Sequence, residues 1–188
     1  MSADQPSAAP KTSLAFLGYR EFEDGETYRG AILVTDDESK PLEFRCTAPV
    51  RPNQLQRTLY GKSLLPHVLT ELIGNPLLNS IHEKPQLILI SDEAYFDVRH
   101  KVSVPVIRIA KSNGSKSKAL LIQSASGKFD QVEIEAHLKF ASDLDSVSER
   151  LRDLFGRWDL NEPFQRLAEG LQYVHDERVL ESETKQPF

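Results

Sequence analysis

The stretch QLILIS, residues 86–91, is an almost wholly apolar run with the length of a β-strand. A run of this kind is typical of a strand that is buried on both faces, because a half-exposed strand alternates polar and apolar side chains. We therefore predict that it is a central strand of a sheet, and the neighbouring segments are interpreted around it.

Three strands are predicted before this run. They are LAFLGYREF at 14–22, YRGAILVT at 28–35 and PLEFRCT at 41–47. In the third, Leu42, Phe44 and Cys46 alternate with polar residues. Short polar turns separate the three strands, and the second and third are predicted to form a hairpin. Cys46 shares the apolar face, so we predict a structural thiol rather than a reactive one.

A helical stripe of apolar residues runs from about residue 53 to Gly74. Pro66 interrupts it and predicts a helix that is kinked, or split near Gly61. The GNP at its end is interpreted as a helix stop. The tripeptide GKS at 61–63 resembles the end of a phosphate-binding loop, but Gln56 stands where that motif needs glycine, so we reject the motif.

Three strands and two helices are predicted after the central run. The strands are VSVPVIRIA at 102–110, ALLIQS at 119–124 and QVEIEAHLKFA at 131–141. The last alternates over its whole length, which is typical of a half-exposed antiparallel strand. Apolar residues at helical spacing between Val147 and Trp158, and between Phe164 and Val174, predict a helical hairpin.

The predicted fold class is therefore α+β: a mostly antiparallel sheet of about seven strands, with a kinked central helix and a C-terminal helical hairpin. We expect the helices to cover one face of the sheet. One core cluster is predicted to hold Leu33, Phe44, Leu89, Ile107, Ile134, Leu151, Phe155 and Leu167.

The chain has 188 residues, which favours one domain. We predict a disordered N-terminal arm at 1–12, a single α+β domain at 13–178 and a polar C-terminal tail at 179–188. No apolar run approaches the ~20 residues that span a bilayer, so no membrane partner is expected. The single cysteine excludes an internal disulfide, and together with the polar N-terminus it favours a cytoplasmic location.

Charge is distributed unevenly along the chain. The net formal charge is −5 overall, but it is −4 over residues 1–50, +6 over 51–128 and −7 over 129–188. The candidate polyanion-binding residues are Arg45, Arg51, Arg57, Lys62, Arg108, Lys111, Lys116 and Lys118. If they converge, they are suited to nucleic-acid phosphates; the interpretation that we favour is that they pair with the acidic C-terminal helices.

The weak catalytic candidates are Asp92, Glu93 and His100. Asp92 and Glu93 directly follow the central strand, where carboxylates of α/β enzymes often act as bases or hold a metal. The alternative, which we favour, is that Ser91 or Asp92 caps a short helix and Glu93 lies at its N-terminus. No two histidines have helical spacing and no Cys–His pattern is present, so we predict no metal and no cofactor.

Three functions remain open on this basis. The leading one is a non-enzymatic accessory or adaptor protein that binds a protein partner or forms a homo-oligomer. The first alternative is an auxiliary nucleic-acid-binding protein that uses the basic segment 51–128, which eight converging cations would favour. The second is a metal-dependent hydrolase or nuclease centred on Asp92 and Glu93, with Asp36, Asp37 and Asp97 as further candidate carboxylates. Three or more carboxylates within metal reach would favour it.

Overall fold

A seven-stranded mixed sheet forms the centre of the computed structural model, which describes residues 12–111, 119–124 and 127–184, with backbone alone from 178 to 184. The strands in chain order are β1 (Ser13–Phe22), β2 (Thr27–Asp36), β3 (Pro41–Cys46), β4 (Leu87–Ile90), β5 (Val106–Lys111), β6 (Leu120–Ile122) and β7 (Val132–Ala136). In the sheet they lie in the order β3-β2-β1-β4-β5-β7-β6.

The central strand predicted from QLILIS is β4. It pairs in parallel with β1 on one side and with β5 on the other. All four of its residues are buried, with Leu87 and Leu89 in one hydrophobic core and Ile88 and Ile90 in a second core on the opposite face. The prediction of a strand buried on both faces is confirmed.

The outer strands are antiparallel to their neighbours. β1 pairs with β2, β2 with β3, β5 with β7 and β7 with β6, all in antiparallel register. The predicted fold class, α+β with a mostly antiparallel sheet of about seven strands, is therefore confirmed. The three parallel strands at the centre were not predicted.

Helices cover both faces of the sheet. Within the described residues they are α1 (Gln54–Tyr60), α2 (Leu64–His67), a π helix (Val68–Gly74), α3 (Asn75–Ser80), a 3₁₀ helix (Glu93–His100), α4 (Ser142–Arg157) and α5 (Glu162–Thr184). The last two pack on one core, whereas α2, the π helix and the 3₁₀ helix pack on the other. The expectation that helices cover one face was wrong, because both sets of alternating side chains on the central strands are apolar and need cover.

The kinked helix is divided where predicted. α1 starts with a capping box, in which Asn53 and Gln56 exchange side-chain to backbone hydrogen bonds of 2.9 Å. It ends at Gly61, whose φ of +51° is easily adopted only by glycine. The predicted stop after Gly74 was wrong: the chain continues into α3 with Pro76 in its first turn, where the missing N–H costs little.

Seven of the eight predicted core residues lie in the core that α4 and α5 cover. The exception is Phe44, which is 39% exposed, because β3 is an edge strand and its outer side lacks a neighbour. Phe44 contacts the backbone of α5 at Gly170. Cys46 is partly buried against the same core, as expected of a structural thiol.

Two predicted strands are shorter in the structure. β5 starts at Val106, directly after Pro105, rather than at 102. β7 ends at Ala136 rather than at 141: Ala136 pairs with Ile107, the second residue of β5, and Pro105, just before β5, has no N–H to extend the pairing. The chain then turns at His137 into a short 3₁₀ segment in which Leu138 is 82% exposed.

Within the described ranges, no helix is both long and apolar enough to cross a membrane. Residues 1–11 of the predicted N-terminal arm lie outside the described residues. The backbone of α5 continues to Thr184, into the predicted C-terminal tail. The division into arm, domain and tail stays a prediction.

Candidate active site

An open cleft lies beside the carboxyl end of β4, which is parallel to its neighbours β1 and β5. Its volume is about 500 Å³. We call it the β4 cleft; the charged and aromatic side chains that line it are Lys62, Asp92, Glu93, Phe96, Asp97 and His137. In sheets with parallel strands, ligands bind beside the carboxyl ends of those strands. The cleft is therefore where the fold places a candidate site.

Asp92 is held in place by two hydrogen bonds. Its Oδ1 accepts from the backbone N–H of Ala94 at 2.8 Å, and its Oδ2 accepts from the Tyr19 hydroxyl at 3.1 Å. The first of these bonds caps the 3₁₀ helix, as the favoured interpretation of the sequence predicted. Burial, together with the negative charge of Asp92, raises the pKa of Tyr19 above its ordinary value.

The end of β4 does not gather the several oxygen ligands that a hard cation such as Mg²⁺ prefers. Asp92 accepts one hydrogen bond at each oxygen, and Glu93 is exposed at the start of the helix. The other candidate carboxylates, Asp36 and Asp37, follow the far end of the hairpin: Asp36 pairs with Ser13, about 20 Å along β1 from Tyr19. Three carboxylates within metal reach, the arrangement that would favour a site at Asp92 and Glu93, do not occur among the described residues.

A different cluster of ligating side chains lies at the cleft, formed by Asp97, His100 and His137. Oδ1 of Asp97 is 4.0 Å from Nε2 of His100 and 3.8 Å from Nε2 of His137. Asp97 and His100 are three residues apart on the 3₁₀ helix, and side chains at that spacing eclipse each other because the helix has three residues per turn. In the described part of the chain, this is the only group of three histidine, cysteine or acidic side chains whose ligand atoms lie within 4.8 Å of one another.

The sequence pointed to His100, and to Asp97 as a further carboxylate for a metal nuclease, but it missed His137. His137 was assigned to the solvent face of a long strand, yet the strand ends one residue before it. The spacing of Asp97 and His100, three residues apart, is visible in the sequence. The nearness of His137 to them is not, because it depends on the pairing of β7 with β5.

The candidate polyanion-binding residues are spread over the molecule. Arg45 lies on β3 and Arg108 on β5, four strand spacings apart, or about 19 Å. Arg57 donates to the backbone carbonyls of Gly25 and Glu26 at 3.3 and 2.8 Å. Lys111 lines a separate cleft, whereas Lys62 lines the β4 cleft. Lys116 and Lys118 lie outside the described residues, and the binding role of all eight stays a prediction.

The arginines that were expected to pair with the C-terminal helices have other partners. Arg45 pairs with Glu43 on its own strand at 2.8 Å. Arg51 pairs with Glu23, between β1 and β2, at 3.1 Å. Its guanidinium hydrogen bond is the largest of the effects that lower the pKa of the Glu23 carboxyl to about 2. These cations are neutralised within the N-terminal half of the chain.

Comparisons with known proteins show which fold this is. No protein-family model matches the chain, and no curated protein matches its sequence. Solved structures of endonuclease V do resemble it. The Streptomyces avermitilis protein matches with a TM-score of 0.57 and 15% identity, over 94% of this chain and 87% of the other. The Bacillus subtilis protein matches with a TM-score of 0.52 and 12% identity, over 92% and 83%.

A third endonuclease V structure, from Ciona intestinalis, is a complex with a 23mer DNA that contains an inosine. It matches with a TM-score of 0.50 and 12% identity, over 88% of this chain and 87% of the other. These likenesses overturn the expectation of a non-enzymatic accessory or adaptor protein, and the nuclease alternative agrees with them better. At these identities the comparison establishes the architecture: the chain adopts the fold of endonuclease V.

Proposed function

We propose that this chain is a nuclease that hydrolyses phosphodiester bonds of a nucleic acid bound in the β4 cleft. The observation that carries the proposal is the coincidence of that cleft, at the carboxyl end of β4, with a fold whose solved representatives are named endonucleases. The DNA complex of the Ciona intestinalis protein supports nucleic acid as the partner. A cytoplasmic location remains a prediction.

The cleft offers the chemical groups that this reaction needs. In hydrolysis, a water oxygen bonds to phosphorus, one P–O ester bond breaks, and the leaving oxygen takes up a proton. The ammonium group of Lys62 is suited to neutralise the phosphate. The cluster of Asp97, His100 and His137 is the group at the cleft that is suited to activate water, since imidazole and carboxylate groups act as general bases or bind a metal that lowers the pKa of a bound water.

The proposal is tested with 5′-labelled oligonucleotides of mixed sequence, as single-stranded and double-stranded DNA and RNA. The protein is assayed after chelator treatment, and again with Mn²⁺, Mg²⁺ or Zn²⁺. We expect cleavage by the wild type, loss of cleavage in Asp97→Asn, and weaker substrate binding in Lys62→Gln. Arg45→Gln is the matched control, because it removes a cation that is paired with Glu43 on edge strand β3. A folded protein that cleaves none of these substrates under any of these conditions contradicts the proposal.

A second candidate is an auxiliary protein that binds nucleic acid without cleaving it. One observation favours it: Asp92, the carboxylate that directly follows β4, is engaged by Tyr19 and Ala94 and has no converging acidic partner among the described residues. This candidate predicts oligonucleotide binding that weakens steeply between about 50 and 200 mM salt, with intact substrate recovered.

A further inference from the structure

Three side chains of two remote segments bring their ligand atoms to one point at the β4 cleft. His137 enters from the turn after β7, and Asp97 and His100 enter from the 3₁₀ helix. Zinc lies about 2.0–2.2 Å from histidine nitrogen and carboxylate oxygen, so its ligand atoms are roughly 3–3.5 Å apart. The observed separations of 3.8 and 4.0 Å exceed this by less than about 1 Å. Asp97, whose side chain is 65% exposed, has room to make that adjustment.

The donor types select a class of metal. Two imidazoles and one carboxylate suit divalent transition metals such as Zn²⁺, Co²⁺ and Mn²⁺, whereas Mg²⁺ and Ca²⁺ prefer sites made of oxygen alone. Three protein ligands also leave at least one coordination position free, which is the pattern of catalytic zinc sites. Because Asp97 and His137 line the β4 cleft, the free position is on the side where a substrate enters.

The two imidazoles are held by aromatic packing. The ring centroid of Phe140 lies 5.1 Å from that of His100 and 5.7 Å from that of His137. The guanidinium of Arg99 covers Phe140 at 4.3 Å and forms a two-point ion pair with Asp143 on α4. Its positive charge is thereby neutralised next to the cluster, which removes one obstacle to binding a cation.

One hydrogen bond must change when a metal binds. The backbone N–H of Lys139 donates to Nδ1 of His137 at 3.2 Å, so in the neutral imidazole the proton is on Nε2. A metal at Nε2 requires the other tautomer, with the proton on Nδ1. Binding therefore opens the Lys139 contact and moves the proton from one ring nitrogen to the other, which nuclear magnetic resonance detects directly.

We propose that Asp97, His100 and His137 together bind one divalent transition-metal ion, with its open coordination position facing the β4 cleft. The binding itself is independent of the nuclease activity, whereas a catalytic role for the ion rests on the proposed function. In that role the ion supplies positive charge beside the scissile phosphate and lowers the pKa of the attacking water.

Cobalt is the probe for this test. Chelator-treated full-length protein is titrated with CoCl₂ and followed by visible absorption, with isothermal titration of ZnCl₂ as a second measurement. We expect one ion per chain and a shift of the His137 imidazole nitrogen resonances to the Nδ1–H tautomer. His100→Ala, Asp97→Ala and His137→Gln are each expected to weaken binding by more than about tenfold, since loss of even an outer partner of a metal ligand costs about that much.

His82→Ala is the matched control, because His82 is 85% exposed and lies beside Glu43 and Arg45 rather than at the cleft. Circular-dichroism melts establish that each variant is folded, and the greater exposure of Asp97 makes Asp97→Ala the variant least prone to unfolding. No Co²⁺ binding by the folded wild type, or binding that is unchanged in both His100→Ala and His137→Gln, overturns the proposal. Metal binding without cleavage supports the site and contradicts the nuclease. Cleavage that persists in folded variants that no longer bind metal supports both the site and the nuclease, and contradicts a catalytic role for the ion.

Discussion

Asp92 lies where catalytic carboxylates often lie, but its contacts are those of a residue that stabilises the fold. It follows β4 directly, yet one oxygen caps the 3₁₀ helix and the other accepts from Tyr19. A side chain with both oxygens so engaged resists the movement that a base or a metal ligand needs. At the scale of single residues, Asp97 and the two histidines are therefore better candidates for a chemical role than Asp92.

Asp92→Ala is expected to destabilise the fold by about 0.5–2 kcal/mol, the usual cost of removing a helix cap. It is also expected to lower the pKa of Tyr19, because the nearby negative charge and the hydrogen bond both disappear, although burial remains. Denaturant unfolding and ultraviolet titration of tyrosine measure the two effects. Glu93→Ala removes the exposed neighbouring carboxylate and is the control, with a change within about 0.5 kcal/mol.

Glu23 and Glu43 both have a carboxyl pKa lowered to about 2, for different reasons. The hydrogen bond from Arg51 is the largest contribution for Glu23, whereas the backbone N–H of Glu83 is the largest for Glu43. Because both pKa values are lower in the folded state than in the unfolded chain, the ionised carboxylates stabilise the fold at pH values above about 4.3, the ordinary pKa of glutamate. This stabilisation is lost as the pH falls towards 2.

Arg51→Gln is expected to return the pKa of Glu23 towards its ordinary value and to leave that of Glu43 low. A carbon-13 titration of the two carboxyl groups measures both in one sample. Equal shifts in the two residues, or none in Glu23, would show that Arg51 does not control this carboxyl.

At the scale of elements, the contact between β2 and the π helix depends on a glycine. A Cβ atom built on Gly30 lies 2.0 Å from Cγ2 of the buried Ile73, so the strand and the helix could not keep their distance with any larger residue. A Cβ atom built on Gly156, near the end of α4, has no neighbouring atom within 4 Å. The two glycines are thus a matched pair, one required by packing and one not.

Gly30→Ala is expected to destabilise the fold by about 1–3 kcal/mol, as overpacking of a core does. Gly156→Ala is expected to stabilise it, by up to about 1 kcal/mol, because alanine favours the helical backbone. Thermal or denaturant unfolding of the two variants decides the matter. A Gly30→Ala variant at least as stable as the wild type would mean that the β2 surface can yield to the added methyl group.

At the scale of the whole molecule, an ion pair joins the layers on opposite faces of the sheet. Arg99 on the 3₁₀ helix donates to both oxygens of Asp143 on α4, at 2.6 and 3.1 Å, and the side chains are only 14% and 8% exposed. A pair this buried adds little against apolar residues of equal size, but breaking one half leaves an uncompensated charge.

Arg99→Leu is therefore expected to cost about 3–5 kcal/mol, and the double variant with Asp143→Leu to recover most of that loss. Denaturant melts of both single variants and the double variant give the coupling energy. If the losses of unfolding free energy in the two single variants simply add in the double variant, the two layers do not depend on this pair.

The local features of this molecule could be predicted from its sequence, and the long-range ones could not. Neighbouring residues alone determine the local features, which are the apolar run of β4, the division of the helix near Gly61 and the capping role of Asp92. The parallel pairing of β1 with β4 joins strands that are separated by more than 60 residues, and no short pattern encodes it. His137 reaches Asp97 for the same reason, through the register of β7 on β5.

The winding of the 3₁₀ helix has a consequence for how this protein can change over time. Tyr95 and Val98 face the core three residues apart, just as Asp97 and His100 face the cleft. If the segment rewound to 3.6 residues per turn, each pair would be offset by roughly 60°. A substitution at Val98 that favours the wider winding would therefore pull Asp97 and His100 apart without touching either. The core side chains and the cleft side chains lie on the same 3₁₀ helix. A substitution in the core is therefore tolerated only if it keeps the winding that holds the cleft side chains together.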